Sequence, residues 1–135
     1  MTRDLGSAPI RDSGRKRQTP MVFIEAHIKP FKLDDVKEAL DDLGVAGLTV
    51  TEVLQTGDSR ARGRSFGARS GMPPDLVPKI KLEIAVPSHL AERVIEAICL
   101  HGSAGKTEYG TIVVERLQAT VRIRTGELDE EALSR

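Results

Sequence analysis

The chain has 135 residues, which is one domain's worth, and its 20 basic and 20 acidic side chains cancel. That balance argues against a bulk electrostatic partner such as nucleic acid or an anionic membrane. No Trp, one Tyr and three Phe make the core aliphatic; a single Cys excludes an intramolecular disulfide; and no apolar run approaches the roughly 18 residues of a membrane span, so a cytoplasmic protein is expected.

Residues 1–20 are rich in Gly, Ser, Pro and Arg and lack periodicity. They carry five basic and two acidic groups and are expected to form a disordered leader. Order begins at Met21, where Val22, Ile24, Ala26 and Ile28 alternate with Phe23, Glu25 and His27 as in a half-buried strand. After Pro30, the residues Leu33, Val36, Leu40 and Leu43 recur at helical spacing. Asp34 and Asp35 suit that helix's N-terminus, and Gly44 suits its C′ position.

A second strand is expected from about Leu48 to Thr56. A long polar stretch, 57–76, follows, with four glycines and the pair Pro73-Pro74, and loops of that length are usually functional or disordered. The third strand runs from about Val77 to Val86, with Ile80, Leu82, Ile84 and Val86 on one face and Lys79, Lys81 and Glu83 on the other. Ser88 is the expected N-cap of a second helix, buried through Leu90, Val94, Ile95 and Ile98, with Cys99 a small buried hydrophobe. A Gly-rich loop, 102–110, leads to a fourth strand at Thr111–Arg116 and a fifth at Ala119–Thr125, ended by Gly126. The residues 128–135 form an acidic tail.

The order βαββαβ with an extra C-terminal strand predicts an α+β, ferredoxin-like sandwich with both helices on one sheet face. Nothing in the chain covers the other face. Its positions read as neither Ile/Val-rich nor strongly charged, which points to burial against identical subunits.

Three features converge on anion binding. Gly102-Ser103-Ala104-Gly105-Lys106-Thr107 has the Gly-Lys-Thr of a phosphate loop, but its glycines are too close for a P-loop and a strand follows it. It keeps the character of a nest of backbone donors beside one Lys. Arg122 and Arg124 would project from one face of a strand, in a spacing that suits phosphate oxygens. Lys79 lies at the base of the long loop, with Glu83 on the same face. His27, His89 and His101 are isolated, and no nucleophile elbow or acid/base pair stands out. The residues by themselves support an anion-binding oligomer.

Several blocks carry a resemblance. Ile28-Lys29-Pro30-Phe31-Lys32-Leu33-Asp34-Asp35-Val36, Gly47-Leu48-Thr49-Val50-Thr51-Glu52-Val53, Val77-Pro78-Lys79-Ile80-Lys81-Leu82-Glu83-Ile84 and Arg122-Ile123-Arg124-Thr125-Gly126-Glu127 closely resemble, in order, segments of the PII signalling proteins. The resemblance covers residues 21–127. It implies a homotrimer, ADP, AMP or ATP bound between subunits, and a T-loop that docks on a transporter, enzyme or regulator. By position, it implies a nucleotide cleft of Gly47, Thr49, Gly57, Glu83, Gly105, Lys106, Gly110, Thr111, Arg122 and Arg124, with Ser59 and Lys79 toward a second ligand and the T-loop. No metal ligand and no catalytic residue is implied.

The departures from the typical pattern are specific. A Gly-Arg-Gln run at the T-loop's foot reads Gly57-Asp58-Ser59 here, and a B-loop Lys reads Thr111. Two fewer cations and two added carboxylates, Asp58 and Glu108 (the latter in place of a B-loop Gly), disfavour a γ-phosphate, so ADP or AMP is expected over ATP. Ser59 is too short to replace the Gln that helps hold magnesium and 2-oxoglutarate. Such departures resemble specialised PII-like branches linked to inorganic-carbon handling and carboxysomes, and that resemblance implies bicarbonate as a candidate second ligand. The loop has no Tyr for uridylylation but carries Arg60, Arg62, Arg64 and Arg69. Two other classes stand against this reading. A slow nucleotide hydrolase or metabolic enzyme would use the same cleft, but no residue is placed as its base. A nucleic-acid binder would use the leader and the loop arginines, against neutral charge and few aromatics.

Overall fold

The computed structural model describes residues 20–56, 76–103 and 110–133. Strand β1 spans Met21–Ile28, a 3-10 turn spans Pro30–Lys32, and helix α1 spans Leu33–Asp42. Then follow β2 (Thr49–Thr56), β3 (Leu76–Pro87), α2 (Ser88–Gly102), β4 (Ile112–Leu117) and the short α3 (Glu130–Leu133). The four strands form one antiparallel sheet in the order β2-β3-β1-β4. This is the α+β, ferredoxin-like arrangement that the alternation of strand and helix periods implies.

Period-two alternation decides which residues the helices cover. Ile24, Ala26 and Ile28 of β1 lie opposite Ile84, Leu82 and Ile80 of β3, and all six are buried on the helix-covered face. Val36 and Leu40 of α1, with Val94 and Ile98 of α2, complete the aliphatic core. Each such side chain contributes roughly 1.5–3 kcal/mol by leaving water. Gly102 closes α2 where β1 and α1 converge; a Cβ there would lie 3.0 Å from Ile28 Cγ2 and 3.6 Å from Val36 Cγ2.

Pro78 sits where β3 is locally an edge strand, a position that proline tolerates. β3 pairs with β2 over Leu76–Glu83 but with β1 only from Ile80 onward, so at Pro78 the strand has one neighbour, not two. Gly44 has φ of +81° directly after α1, and its N–H bonds the Asp41 carbonyl at 3.0 Å, so it is the C′ glycine that the sequence suggests.

Four expectations are corrected. The fifth strand, 119–125, is a turn. Its only pairing among the described residues is one bridge, Val121 to Leu128, because Gly126 at φ +77° folds the chain back on itself before a ladder can extend. Ser88 does not cap α2 through its side chain. Pro87 holds the cap position, and the Ser88 N–H donates to the Pro20 carbonyl at 2.9 Å. Cys99 is exposed, because it is one residue past buried Ile98 on the helix and so about 100° around from it. The sheet's uncovered face is more charged than expected, with Glu25, His27, Lys79, Lys81 and Glu83 on adjoining strands.

No helix among the described residues is long and apolar enough to cross a membrane. The leader residues 1–19, the long loop 57–75 and the segment 104–109 lie outside the described residues, and so do the sequence-based expectations for Gly57, Ser59, Gly105 and Lys106.

Candidate functional site

The predicted site residues fall at three stations of the fold. The first is the β2 edge. Gly47 is exposed in the α1–β2 link and lines an open hollow of about 440 Å³ with Lys37, Asp41 and Val45. Thr49 opens β2 and lies directly across from Glu83 of β3. Glu83 in turn lies across from Glu25 of β1, so two half-buried carboxylates face each other on the uncovered side. Like charges in directly opposed positions are destabilising. His27 partly offsets this, with Nε2 3.6 Å from Glu25 Oε2 when the ring is protonated. Lys81, across from His27, adds a cation in the next row.

The second station is the β4 edge. Gly110 and Thr111 are exposed just before β4. They line a hollow of about 210 Å³ with His27, Cys99 and Ser103. Gly110 is a close approach of two backbones: a Cβ there would lie 2.9 Å from the His27 carbonyl oxygen. The glycine lets the chain lie against β1 as it enters β4.

The third station is the C-terminal turn. Arg122 is half-buried and Arg124 is exposed. The turn is closed by backbone bonds from the Arg122 N–H to the Glu127 carbonyl (2.9 Å) and from the Gly126 N–H to the Arg122 carbonyl (2.8 Å). Arg122 Nε lies 3.2 Å from Glu127 Oε1, and Nη2 donates to the Glu131 carbonyl at 3.5 Å. Asp129, fully buried at φ 55°, pins the turn: the Thr120 N–H donates to its Oδ1 (3.3 Å) and the Thr120 hydroxyl to its carbonyl (3.2 Å). Lys79 stands apart from all three, across from Val53 beside a hollow of about 380 Å³ lined also by Pro30 and Leu54.

Within one chain these stations stay separate. The β2 and β4 edges are three strand spacings apart, about 14 Å. Gly110 and Thr111 precede the first residue of β4, whereas the C-terminal turn follows its last, a further separation of about 20 Å along the strand. One chain therefore does not bring the predicted residues together. Glu127, Thr125 and Asp129, which fix Arg122 and its turn, are not among them; the Thr-Gly-Glu run directly after the paired arginines is the signal for the first two. Among the described residues, no group of three or more His, Cys, Asp or Glu is placed to hold a metal ion.

Comparison with known proteins supplies the family. The family model described as "Nitrogen regulatory protein P-II" matches residues 21–127. The chain belongs to the P-II family. The Haemophilus influenzae nitrogen regulatory protein P-II is 44% identical over 113 residues, covering 84% of this chain and all of the relative. The P-II of Rhizobium etli is 46% identical over 118 residues, and P-II 1 of Escherichia coli K12 is 41% identical over 113, with the same coverage. Among solved structures, Arabidopsis thaliana PII bound to citrate superposes with a TM-score of 0.68 at 27% identity, covering 87% of this chain and 94% of that one. A P-II fold of this kind serves regulation and signalling, and the chain is not an enzyme.

Proposed function

We propose that this P-II chain is an adenine-nucleotide sensor that works as a homotrimer in the cytoplasm and regulates a partner protein through the loop 57–75. The observation that carries the reading is the division of the candidate residues between opposite edges of one sheet. Gly47, Thr49 and Glu83 toward the β2 edge meet Gly110 and Thr111 at the β4 edge, and either group meets the arginine turn, only if a second copy supplies part of the cleft. A cleft built that way binds ligand and reports subunit geometry at once.

Arg122 and Arg124 would take phosphate oxygens through charge-assisted bonds, each worth about 1.5–3 kcal/mol. Asp58 and Thr111, where typical members have Arg and Lys, weaken the site for a third phosphate, so ADP or AMP is the preferred effector over ATP. Ser59 lacks the reach for 2-oxoglutarate, and the resemblance to inorganic-carbon-linked branches makes a small anion such as bicarbonate the candidate second ligand. Nitrogen status, which the relatives' names specify, is the regulatory setting. Calorimetry with ADP, AMP and ATP on the full chain, each with bicarbonate or 2-oxoglutarate, tests this. The reading expects ADP to bind at least as tightly as ATP. ATP bound ten times tighter than ADP would refute the preference, and no binding of any of the three would refute the sensor.

A further inference from the structure

We propose that Glu127 is a built-in competitor for the phosphate groups, so that a nucleotide must displace a carboxylate of the protein from Arg122 in order to bind. The proposal rests on the nucleotide-sensor reading above and concerns the control of that same site.

A guanidinium offers donors along its edges, and a bidentate partner needs two adjacent N–H groups. In Arg122 the Nε/Nη2 edge already faces acceptors of the chain. Glu127 Oε1 sits 3.2 Å from Nε, and the Glu131 carbonyl accepts from Nη2 at 3.5 Å. Nε is buried, and its contact with Glu127 is an ion pair and not a hydrogen bond. A carboxylate of the chain therefore stands against the guanidinium where an anion would pair with it.

Glu127 is also held for this role. The Thr125 hydroxyl donates to Glu127 Oε1 at 3.0 Å, and the Glu127 N–H donates to the Thr125 oxygen at 3.3 Å. The two backbone bonds that close the turn keep residue 127 directly beside residue 122. The closed turn and the Thr125 hydroxyl hold the carboxylate beside Arg122, so an incoming phosphate meets it there. It either displaces Glu127 or binds against its negative charge. Both routes weaken phosphate binding, and neither touches the base or the sugar.

The competition makes the site selective. A ligand with two or more phosphate charges can displace the carboxylate, whereas an uncharged nucleoside gains nothing from doing so. Arg124, exposed in the same turn, remains available for first contact.

The test is Glu127→Gln in the full-length protein. Gln keeps an Oε1 acceptor for Thr125 and removes only the charge, and the side chain is partly exposed, so the fold is retained; an unchanged melting temperature verifies this. Calorimetry is run with ADP and with adenosine on both proteins. The expected result is ADP binding about three- to fivefold tighter in the variant, the upper part of the range that a partly exposed ion pair supports. Adenosine shows no gain, and the ADP difference shrinks at high salt. Equal or weaker ADP binding in the variant would overturn the proposal, since Glu127 would then position Arg122 and not compete for it. An equal gain for adenosine would overturn it too, by placing the effect away from the phosphates. Failure of ADP to bind either protein would instead overturn the sensor reading, and this inference with it.

Discussion

Gly110→Ala, compared with Gly47→Ala, separates a glycine the fold needs from one that only a ligand needs. At Gly110 an added Cβ would stand 2.9 Å from the His27 carbonyl oxygen, against ordinary contacts of 3.4 Å or more. The two backbones must therefore part by about half an ångström. Neither is the end of a flexible side chain, and overpacking of this kind costs about 1–3 kcal/mol. For a domain of this size that lowers the melting temperature by roughly 4–15 °C. At Gly47 nothing lies within 4 Å of the built Cβ, and the backbone is outside the left-handed region. Gly47→Ala should melt within about 1 °C of wild type. Thermal unfolding by circular dichroism at one fixed protein concentration measures both, since association shifts apparent stability. In the reading proposed here both variants also weaken ADP binding, but only Gly110→Ala does so with loss of stability. A Gly110→Ala protein that melts like wild type would refute the close-approach argument.

Leu82→Ala removes a fully buried side chain at the centre of β3 and should cost about 2–5 kcal/mol in denaturant unfolding. Gly126→Ala forces a residue with a Cβ into φ +77° and should cost about 1 kcal/mol, with loosening of the turn seen as faster amide exchange at 122–129. Arg122→Ala should weaken ADP at least tenfold while leaving adenosine unchanged, read by calorimetry; loss of a charge-assisted bond of about 1.5–3 kcal/mol sets that floor.

The sheet and the two long helices were legible because each buries one regular face. Ile24, Ala26 and Ile28, then Ile80, Leu82, Ile84 and Val86, repeat at two; Val36 and Leu40 repeat at four. Period alone misled at Val121-Arg122-Ile123-Arg124-Thr125, which alternates like a strand. A strand needs a partner along its length, and this segment finds one bridge among the described residues before Gly126 reverses it. Cys99 was misread for a related reason. The run Val94 to Leu100 is apolar nearly throughout, so it does not mark its own buried face; only packing shows that Val94 and Ile98 point inward while Cys99 and Leu100 do not. The uncovered sheet face was likewise hidden, because the opposition of Glu25 to Glu83 depends on register between strands more than fifty residues apart.

The candidate site was legible as residue types and illegible as geometry. Paired arginines and Gly-rich turns announce an affinity for anions. Nothing in their spacing says that Thr49 and Thr111 lie on opposite edges of the sheet, or that Arg122 is held by a carboxylate five residues on. Those facts come from strand order and from the turn, both of which are tertiary.

Native mass spectrometry of the full-length chain with ADP reports assembly and occupancy in one spectrum. A nucleotide-binding trimer appears as a species of three chain masses that takes up one ADP per chain, with no ADP on any single chain. A single chain carrying ADP would contradict it, and so would a three-chain assembly that stays empty at saturating nucleotide.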